Sequence, residues 1–446
     1  MMSQETTIEE VSKTALSEAK RLGCDDVSVI CTKSNDSQVR FANNVITLVN
    51  NVRNLTMEIY VSKQKKRIVG ASYNPTKLGI ERFVGNLVKS CEALPQSEDY
   101  VPLPKGPFTY NGHANFDPKV EDAPLVDYVK QTIDQGILRG AARVSGSLNT
   151  ESTELLILTS SGASGKDRQS QMLLNVRAFA DDNASGQGLS CSSYLSDFRA
   201  EKAGQKAGED AKRALNPKQI PDGIYDVIFS STVVANILPV AASASAFAIE
   251  SGNSFLADKL DQDIAVKTLT IEDCGVYGHG LGGRVFDDEG TPTQTNKIVS
   301  NGKFVAMLHN STTGKKFGKK STGNAGIVGP RPATIVFSGG DSSLEEIVRE
   351  TKQGVLITNN WYTRYQNMRT GDYSTVPRDA AFRIEAGEIK EPIAGLRVSD
   401  SIPRQLLNIE TTSKERDWIR WWEVSTPTLA PAMKIKGVHV TRAVGS

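Results

Sequence analysis

The strongest constraint on this chain is an order of hydrophobic spacings that runs through its first half twice. Within the stretch from Thr6 to Arg21, Ile8, Val11, Ala15 and Ala19 recur at steps of three and four, which line one face of a helix. Gly23 stops that helix, and DVSVICT, SQVRF, VITLVN, LTMEIYVS and RIVGASY follow as antiparallel strands between turn-forming residues. KLGIERFVGNLVKSCEAL returns to helical spacing before the stretch Pro95 to Pro107 breaks the pattern. The plan then restarts with helix PLVDYVKQTIDQGILRG, strands ARVSGSL, ELLILTS, LLNVRAFA and GLSCSSY, and helix FRAEKAGQKAGEDAKRAL. Gly23 and Gly140 lie 117 positions apart, and Ser72-Tyr73 and Ser193-Tyr194 lie 121 apart. The order reads as a duplicated unit, although ordinary α+β architecture gives the same order.

After NPKQIPDG, residues 216–223, the texture changes to short strands divided by Gly, Pro, Asn and Asp: YDVIFSS, AVKTLTIED, KFVAMLHN, ATIVFSG, GVLITNNWYTRY, AAFRIEAGEI, GLRVSD and MKIKGVHVT. Helical candidates there are Val233 to Ile249, SLEEIVRETK with Ser343 as cap and Glu346 three residues on, and SIPRQLLNIE. At 446 residues the chain is too long for one ordinary core. The expected fold class is α+β: an N-terminal α/β domain over 1–110, a second α/β domain over 111–222, and a β-rich C-terminal domain over 223–446.

Lys+Arg 52 against Asp+Glu 51 leaves a formal charge of +1. That removes the positive field a general nucleic-acid or membrane-surface binder carries, so neither is an expected partner. The five cysteines contain no C-x-x-C pair and fit a reducing compartment. MMSQETTIEE lacks the basic and apolar regions of an export signal, so a cytoplasmic location is expected. Val233 to Ile249 has the length of a short membrane span but is rich in Ala and Ser and interrupted by Asn236 and Pro239.

Two glycine-rich strings fail their context tests. Gly278-His279-Gly280-Leu281-Gly282-Gly283 contains G-x-G-x-x-G, but RVFDDEG follows it where a nucleotide fold opens a helix. In TGKKFGKKSTG the glycines are one residue too close for a phosphate-cradling loop, and Lys315, Lys316, Lys319 and Lys320 read as a solvated loop. Four histidines, His113, His279, His309 and His439, bound any general-base or zinc chemistry, and no two sit on one helical turn. A hydrolytic site assembled from His279, His309, Asp287, Asp288 and Glu289 is the alternative that remains. Trp418, Trp421 and Trp422 read first as core and second as a partner interface.

The C-terminal half resembles the TldD/PmbA family, described as modulators of DNA gyrase and understood as zinc metallopeptidases and their partners. The resemblance rests on Ser254-Phe255-Leu256-Ala257-Asp258-Lys259-Leu260, Val285-Phe286-Asp287-Asp288-Glu289-Gly290, Leu308-His309-Asn310 and Ser321-Thr322-Gly323-Asn324-Ala325-Gly326. It continues through SLEEIV, Thr370-Gly371-Asp372-Tyr373-Ser374, and Ile384-Glu385-Ala386-Gly387-Glu388-Ile389 with Pro392 beyond. The pattern around Arg40, Asn43 and Gly70 to Tyr73 resembles the family's first domain more loosely.

Catalytic TldD-type members carry H-E-x-x-x-H on a helix ahead of the element matching Ser254-Phe255, and a cysteine ligand near the C-terminus. Here NILPVAASASAFAIESGNSF occupies the helix position with no histidine, and no cysteine follows Cys274. Ala, Ser and Pro offer no comparable metal-binding groups. The resemblance therefore implies the PmbA/TldE branch: no catalytic residue and no metal or cofactor in this chain, with zinc in a TldD-like partner that completes a heterodimer. Its expected substrate is a short or unfolded peptide. The peptide-cleft candidates are Gly280, Gly283, Asp287, Gly290, His309, Asn310, Gly323 and Asn324. The alternatives are a metallopeptidase or other hydrolase in its own right, using His309, Asp288 and Glu289, or a non-enzymatic binding or scaffold protein.

Overall fold

The computed structural model describes residues 7–326 and 328–442, so Thr6 lies outside the described residues. The first half contains α1 (Ile8–Arg21), β1 (Asp26–Ala42), β2 (Val45–Lys63), β3 (Lys66–Tyr73) and α2 (Lys77–Glu92), then α3 (Leu125–Leu138), β4 (Arg143–Thr159), β5 (Ser164–Phe179), β6 (Ser185–Ser192) and α4 (Ala200–Arg213). The order α-β-β-β-α thus occurs twice. Both sets of strands form one antiparallel sheet in the order β3-β2-β1-β4-β5-β6. Ile8 and Leu125 begin equivalent helices 117 positions apart, as Asp26 and Arg143 begin equivalent strands. Asn35 pairs with Ser152 across the β1–β4 seam at the same separation, so a local two-fold axis passes through that pair.

Sequence explains the layers. Thr7 and Glu10 form a capping box that starts α1, and Val11, Ala15 and Ala19 on its inner face are buried. Val27, Val29 and Cys31 of β1 and Met57, Ile59 and Val61 of β2 pack under α1 and α2. Val39, Phe41, Val144, Leu148, Met172 and Leu174 pack under α3 and α4. All four helices therefore cover one face of the sheet, and the alternating residues of the strands point to the other.

The separate strands expected in DVSVICT and SQVRF, in VITLVN and LTMEIYVS, and in ARVSGSL and ELLILTS are each one continuous strand, of 17, 19 and 17 residues. Polar runs such as Lys33–Gln38 and Asn50–Asn54 resemble turns in composition. They stay extended because β1 is paired along both edges.

The second half contains β7 (Gly223–Phe229), α5 (Ser231–Ile237), α6 (Val240–Ser243), α7 (Ala246–Glu250), β8 (Ile271–Cys274), β9 (Thr295–Ser300), β10 (Lys303–Phe304), α8 (Ser311–Lys316), β11 (Ile335–Phe337), α9 (Leu344–Arg349) and β12 (Gln353–Ile357). It continues through β13 (Asn360–Asn367), β14 (Asp372–Pro377), β15 (Ala381–Glu385), β16 (Glu388–Pro392), β17 (Leu396–Ser401), α10 (Ile402–Leu407), β18 (Ile409–Trp421) and β19 (Val424–Arg442). These 13 strands form one mixed sheet around β19, which pairs with β7, β11, β17 and β18. The molecule is α+β with a β-rich C-terminal half.

Three features depart from the sequence expectations. The apolar run Val233 to Ile249 is three short helices rather than one, because Pro239 supplies no N–H and Ala246 turns its N–H to Leu308 O at 3.0 Å. Its side chains Val233, Val234, Ile237 and Val240 are buried in the C-terminal core. Among the described residues no helix is long and apolar enough to cross a membrane. AVKTLTIED and KFVAMLHN shrink to the four and two residues of β8 and β10, whereas β9, β14 and β18 are polar enough to have escaped pattern reading.

Candidate functional site

The segments 275–294, 309–326 and 328–333 of the C-terminal half pack on the helix-free face of the six-stranded sheet. Buried polar groups fasten them there. Asp167 on β5 accepts the N–H groups of Ala114 at 2.8 Å, Arg168 at 2.8 Å and Val285 at 3.1 Å. Asn115 accepts the Gly280 N–H at 3.1 Å and donates to Tyr277 O and Gly282 O at 3.0 and 2.9 Å. The Gly282 N–H donates to Ser193 Oγ at 3.0 Å. The glycine string thus spends these two N–H groups on the protein itself. A Cβ at Gly280 would lie 2.7 Å from Trp418, which explains a glycine there. His279 sits outside this anchor, exposed, stacked on Tyr194 and 2.8 Å from Asp197.

The three consecutive acids take three different roles. Asp287 is fully buried; its Oδ1 accepts from Glu289 N–H at 3.0 Å and Thr291 N–H at 2.8 Å, and its Oδ2 from Ala325 N–H at 2.9 Å. Burial, reinforced by Glu289, pushes its carboxyl up to about 7, while the N–H donors act in the opposite direction. Asp288 faces the space between sheet and loops, where Arg284 and Arg331 each donate to it at 3.2 Å. Glu289 accepts from the N–H and Oγ of Ser311 at 3.0 and 2.6 Å, and burial raises its carboxyl above the ordinary range.

His309 is buried. Its ring contacts Thr313 Oγ1 at 3.3 Å and Phe317, and burial with Lys319 nearby lowers its pKa. No hydrogen bond or ion pair joins it to Asp288 or Glu289 among the described residues. Asn310 caps α8 through Thr313 N–H at 2.9 Å, and Asn324 donates to Asp273 at 2.6 Å and to Arg331 O at 3.0 Å. Gly290 O accepts from Tyr110 Oη at 2.5 Å, and Gly323 lies against the Pro292 carbonyl.

These loops and the sheet enclose a cleft of about 590 Å³, with Thr32, Glu58 and Gln169 on the sheet side and Gly283, Arg284, Asp288 and Arg331 on the loop side. A smaller hollow of about 40 Å³ continues past Asp288 to Tyr60, Arg67, Glu289 and Asn310. Of the residues singled out by sequence, Gly283, Asp288, Glu289 and Asn310 line these spaces. Gly280, Asp287, Gly290, His309, Gly323 and Asn324 hold the loops from behind. Glu58, Gln169, Arg284, Arg331 and Arg420 were missed. Glu58 stands half-buried in both spaces, without a hydrogen-bond or ion-pair partner among the described residues, its carboxyl raised by burial and by Asp288.

The stretch that the resemblance sets against a zinc-binding helix is poor in metal-binding groups. From Asn236 to Glu250 the polar groups are Asn236, Ser243, Ser245 and Glu250. Asn236 donates to Glu423 at 3.4 Å, Ser245 donates to Pro330 O at 2.8 Å, and Glu250 is paired with Lys316. An amide, two hydroxyls and one ion-paired carboxylate do not fit zinc. Among the described residues no three His, Cys, Asp or Glu gather in a group that could hold a metal ion.

The tryptophans divide. Trp421 is buried, Trp418 packs half-buried on Tyr277, and Trp422 is 56% exposed, edge-on to Trp361 and Tyr362.

Residues 115–215 match the model of the PmbA/TldA metallopeptidase central domain, and residues 222–442 match that of the PmbA/TldA metallopeptidase C-terminal domain. The chain is 31% identical over 208 residues to the metalloprotease PmbA homolog of Haemophilus influenzae, covering 46% of this chain and 45% of that protein. It is 30% identical over 228 residues to metalloprotease PmbA of Escherichia coli O157:H7, covering 50% and 48%. The chain spans about half the length of the curated relatives it matches. TldE from Thermococcus kodakarensis shares the fold with a TM-score of 0.86 at 19% identity, over 97% of this chain and 100% of that one. With two successive domain models matched in order over residues 115–215 and 222–442, the chain belongs to the TldD/PmbA family.

Proposed function

We propose that this chain is the peptide-holding, zinc-free member of a cytoplasmic two-subunit metallopeptidase, PmbA/TldE-like, with a TldD-like partner that brings the zinc. One observation carries the reading: a charged cleft is built, while the stretch that the resemblance sets against a zinc-binding helix offers only Asn236, Ser243, Ser245 and an ion-paired Glu250. In that cleft Arg284 and Arg331 offer N–H donors to peptide carbonyls or a carboxylate, and Glu58 offers an acceptor to a peptide N–H or ammonium. The metallopeptidase names of the relatives support proteolysis by the assembly.

The test has two arms. The purified chain is assayed for bound zinc and for cleavage of short peptides, and the same assays are run on the complex that co-purifies with it from its native cell. Zinc and cleavage only in the complex are expected. Stoichiometric zinc with cleavage by the chain alone overturns the reading.

A further inference from the structure

The cleft is one end of a longer feature. Its sheet side belongs to the helix-free face of β1, β2, β4 and β5, and two further hollows lie on that face, of about 430 and about 550 Å³. Strand register puts their residues in cross-strand rows. Asn50, Gln38, Asn149 and Leu173 form one row. Val52, Asp36, Glu151 and Gln171 form the next toward the cleft. Beyond them Ile30 faces Glu58 at the cleft, and at the far end Arg40 faces Leu48 beside Trp361 and Trp422. Arg420 joins the segments, lining the cleft while donating to Gln171 at 2.5 Å. From Ile30 to Arg40 the strand runs about 34 Å at about 3.4 Å per residue.

The chemistry of this trough selects its occupant. Between Val52 and Leu173 at its margins, its middle is made of amides and carboxylates already linked in a net: Gln38 donates to Asn149 at 2.6 Å, Asn54 to Asp36 at 3.2 Å, and Gln171 to Glu151. The core of a permanent protein interface is depleted of charged residues, whereas Asp36 and Glu151 stand at the middle of this face. An extended polypeptide brings the matching need, a backbone N–H and C=O at each residue, and a side-chain amide answers both without reading sequence.

We infer that the sheet face is an extension of the peptide site: a trough that holds about ten residues of extended, sequence-unselected polypeptide and leads it from the Trp361 and Trp422 end to the Arg284, Asp288 and Arg331 cleft. The inference rests on the peptide reading of the cleft and names its substrate as a long unfolded segment.

Fluorescence anisotropy of the full chain with labelled, uncharged polar peptides of about five and about fourteen residues tests it. The long peptide is expected to bind at least about tenfold more tightly than the short one. Gln38→Ala with Asn149→Ala should remove most of that advantage and leave the short peptide unchanged. Asn50→Ala, at an exposed position, is a milder variant, and melting curves check that each remains folded. Equal affinities for the two lengths, or a long peptide indifferent to these variants while Arg331→Ala weakens both, overturns the trough and leaves the cleft. Absence of binding at either length overturns both. A concentration-dependent dimer in sedimentation that excludes the long peptide makes the face a subunit interface and overturns the trough.

Discussion

The two α-β-β-β-α units share an order of elements and one sheet, yet they are packed by opposite means. Counted from the first residue of the second helix in each, Ile80, Val84 and Val88 of α2 occupy the positions of Ala203, Ala207 and Ala211 of α4. In the first unit those large side chains fill the gap between helix and sheet, all of them buried. In the second the gap is closed by bringing backbones together, a Cβ at Gly188 of β6 lying 2.0 Å from Ala203 O of α4, and α4 meets α3 as closely, a Cβ at Gly204 lying 2.3 Å from Thr132 O. The same arrangement of elements is therefore compatible with interdigitated side chains and with small-residue contact, provided each unit is consistent throughout.

Four substitutions separate the two modes, each read from the urea midpoint of the full chain. Ile80→Ala has the largest expected effect, a loss of about 2–5 kcal/mol, because α2 lies at side-chain distance and cannot collapse onto the sheet. A loss near zero would show that the first unit closes up as the second does. Gly208→Ala should cost about 1–3 kcal/mol, since the new methyl would lie 2.4 Å from Gly136 O. Thr7→Ala should cost about 1 kcal/mol by removing the capping box of α1, whereas α3 begins at Pro124 with no side-chain cap to lose. Gly85→Ala sharpens the contrast most economically. It stands at the same helical position as Gly208, but nothing lies within 4 Å of its Cβ, so it should stabilise by about 0.5–1 kcal/mol. Equal signs at 85 and 208 would dissolve the distinction.

The sequence was legible where local rules decide. The spacing of Ile8, Val11, Ala15 and Ala19, the Ser343 and Glu346 capping box, and the strand–helix order all correspond to elements of the structure. It was illegible where a distant partner decides. Lys33–Gln38 has the composition of a turn and becomes strand because β2 and β4 flank it. The cleft follows the same division. The string from Asp287 to Gly290 announced itself, but its best-marked members, Asp287 and Gly290, prove to brace the loop. Glu58 and Gln169 gave no signal, because each is an ordinary polar residue on an alternating strand until the C-terminal loops are laid over it.

The axis through Asn35 and Ser152 exchanges the two ends of the sheet face, relating Ile30 to Ser147 and Arg40 to Ile157. Such a backbone has no heading: a polypeptide lying on it would find equivalent strands whichever way it ran. The axis relates backbone, while side chains such as Arg40 and Ile157 differ, and the C-terminal half adds to that difference by setting Arg284, Arg331 and Asp288 at one end and indoles at the other. Length is thus a property of the duplicated half, and polarity is reinforced by the unduplicated one, so an exchange of C-terminal loops between relatives should change directional preference without altering how long a segment the face accepts.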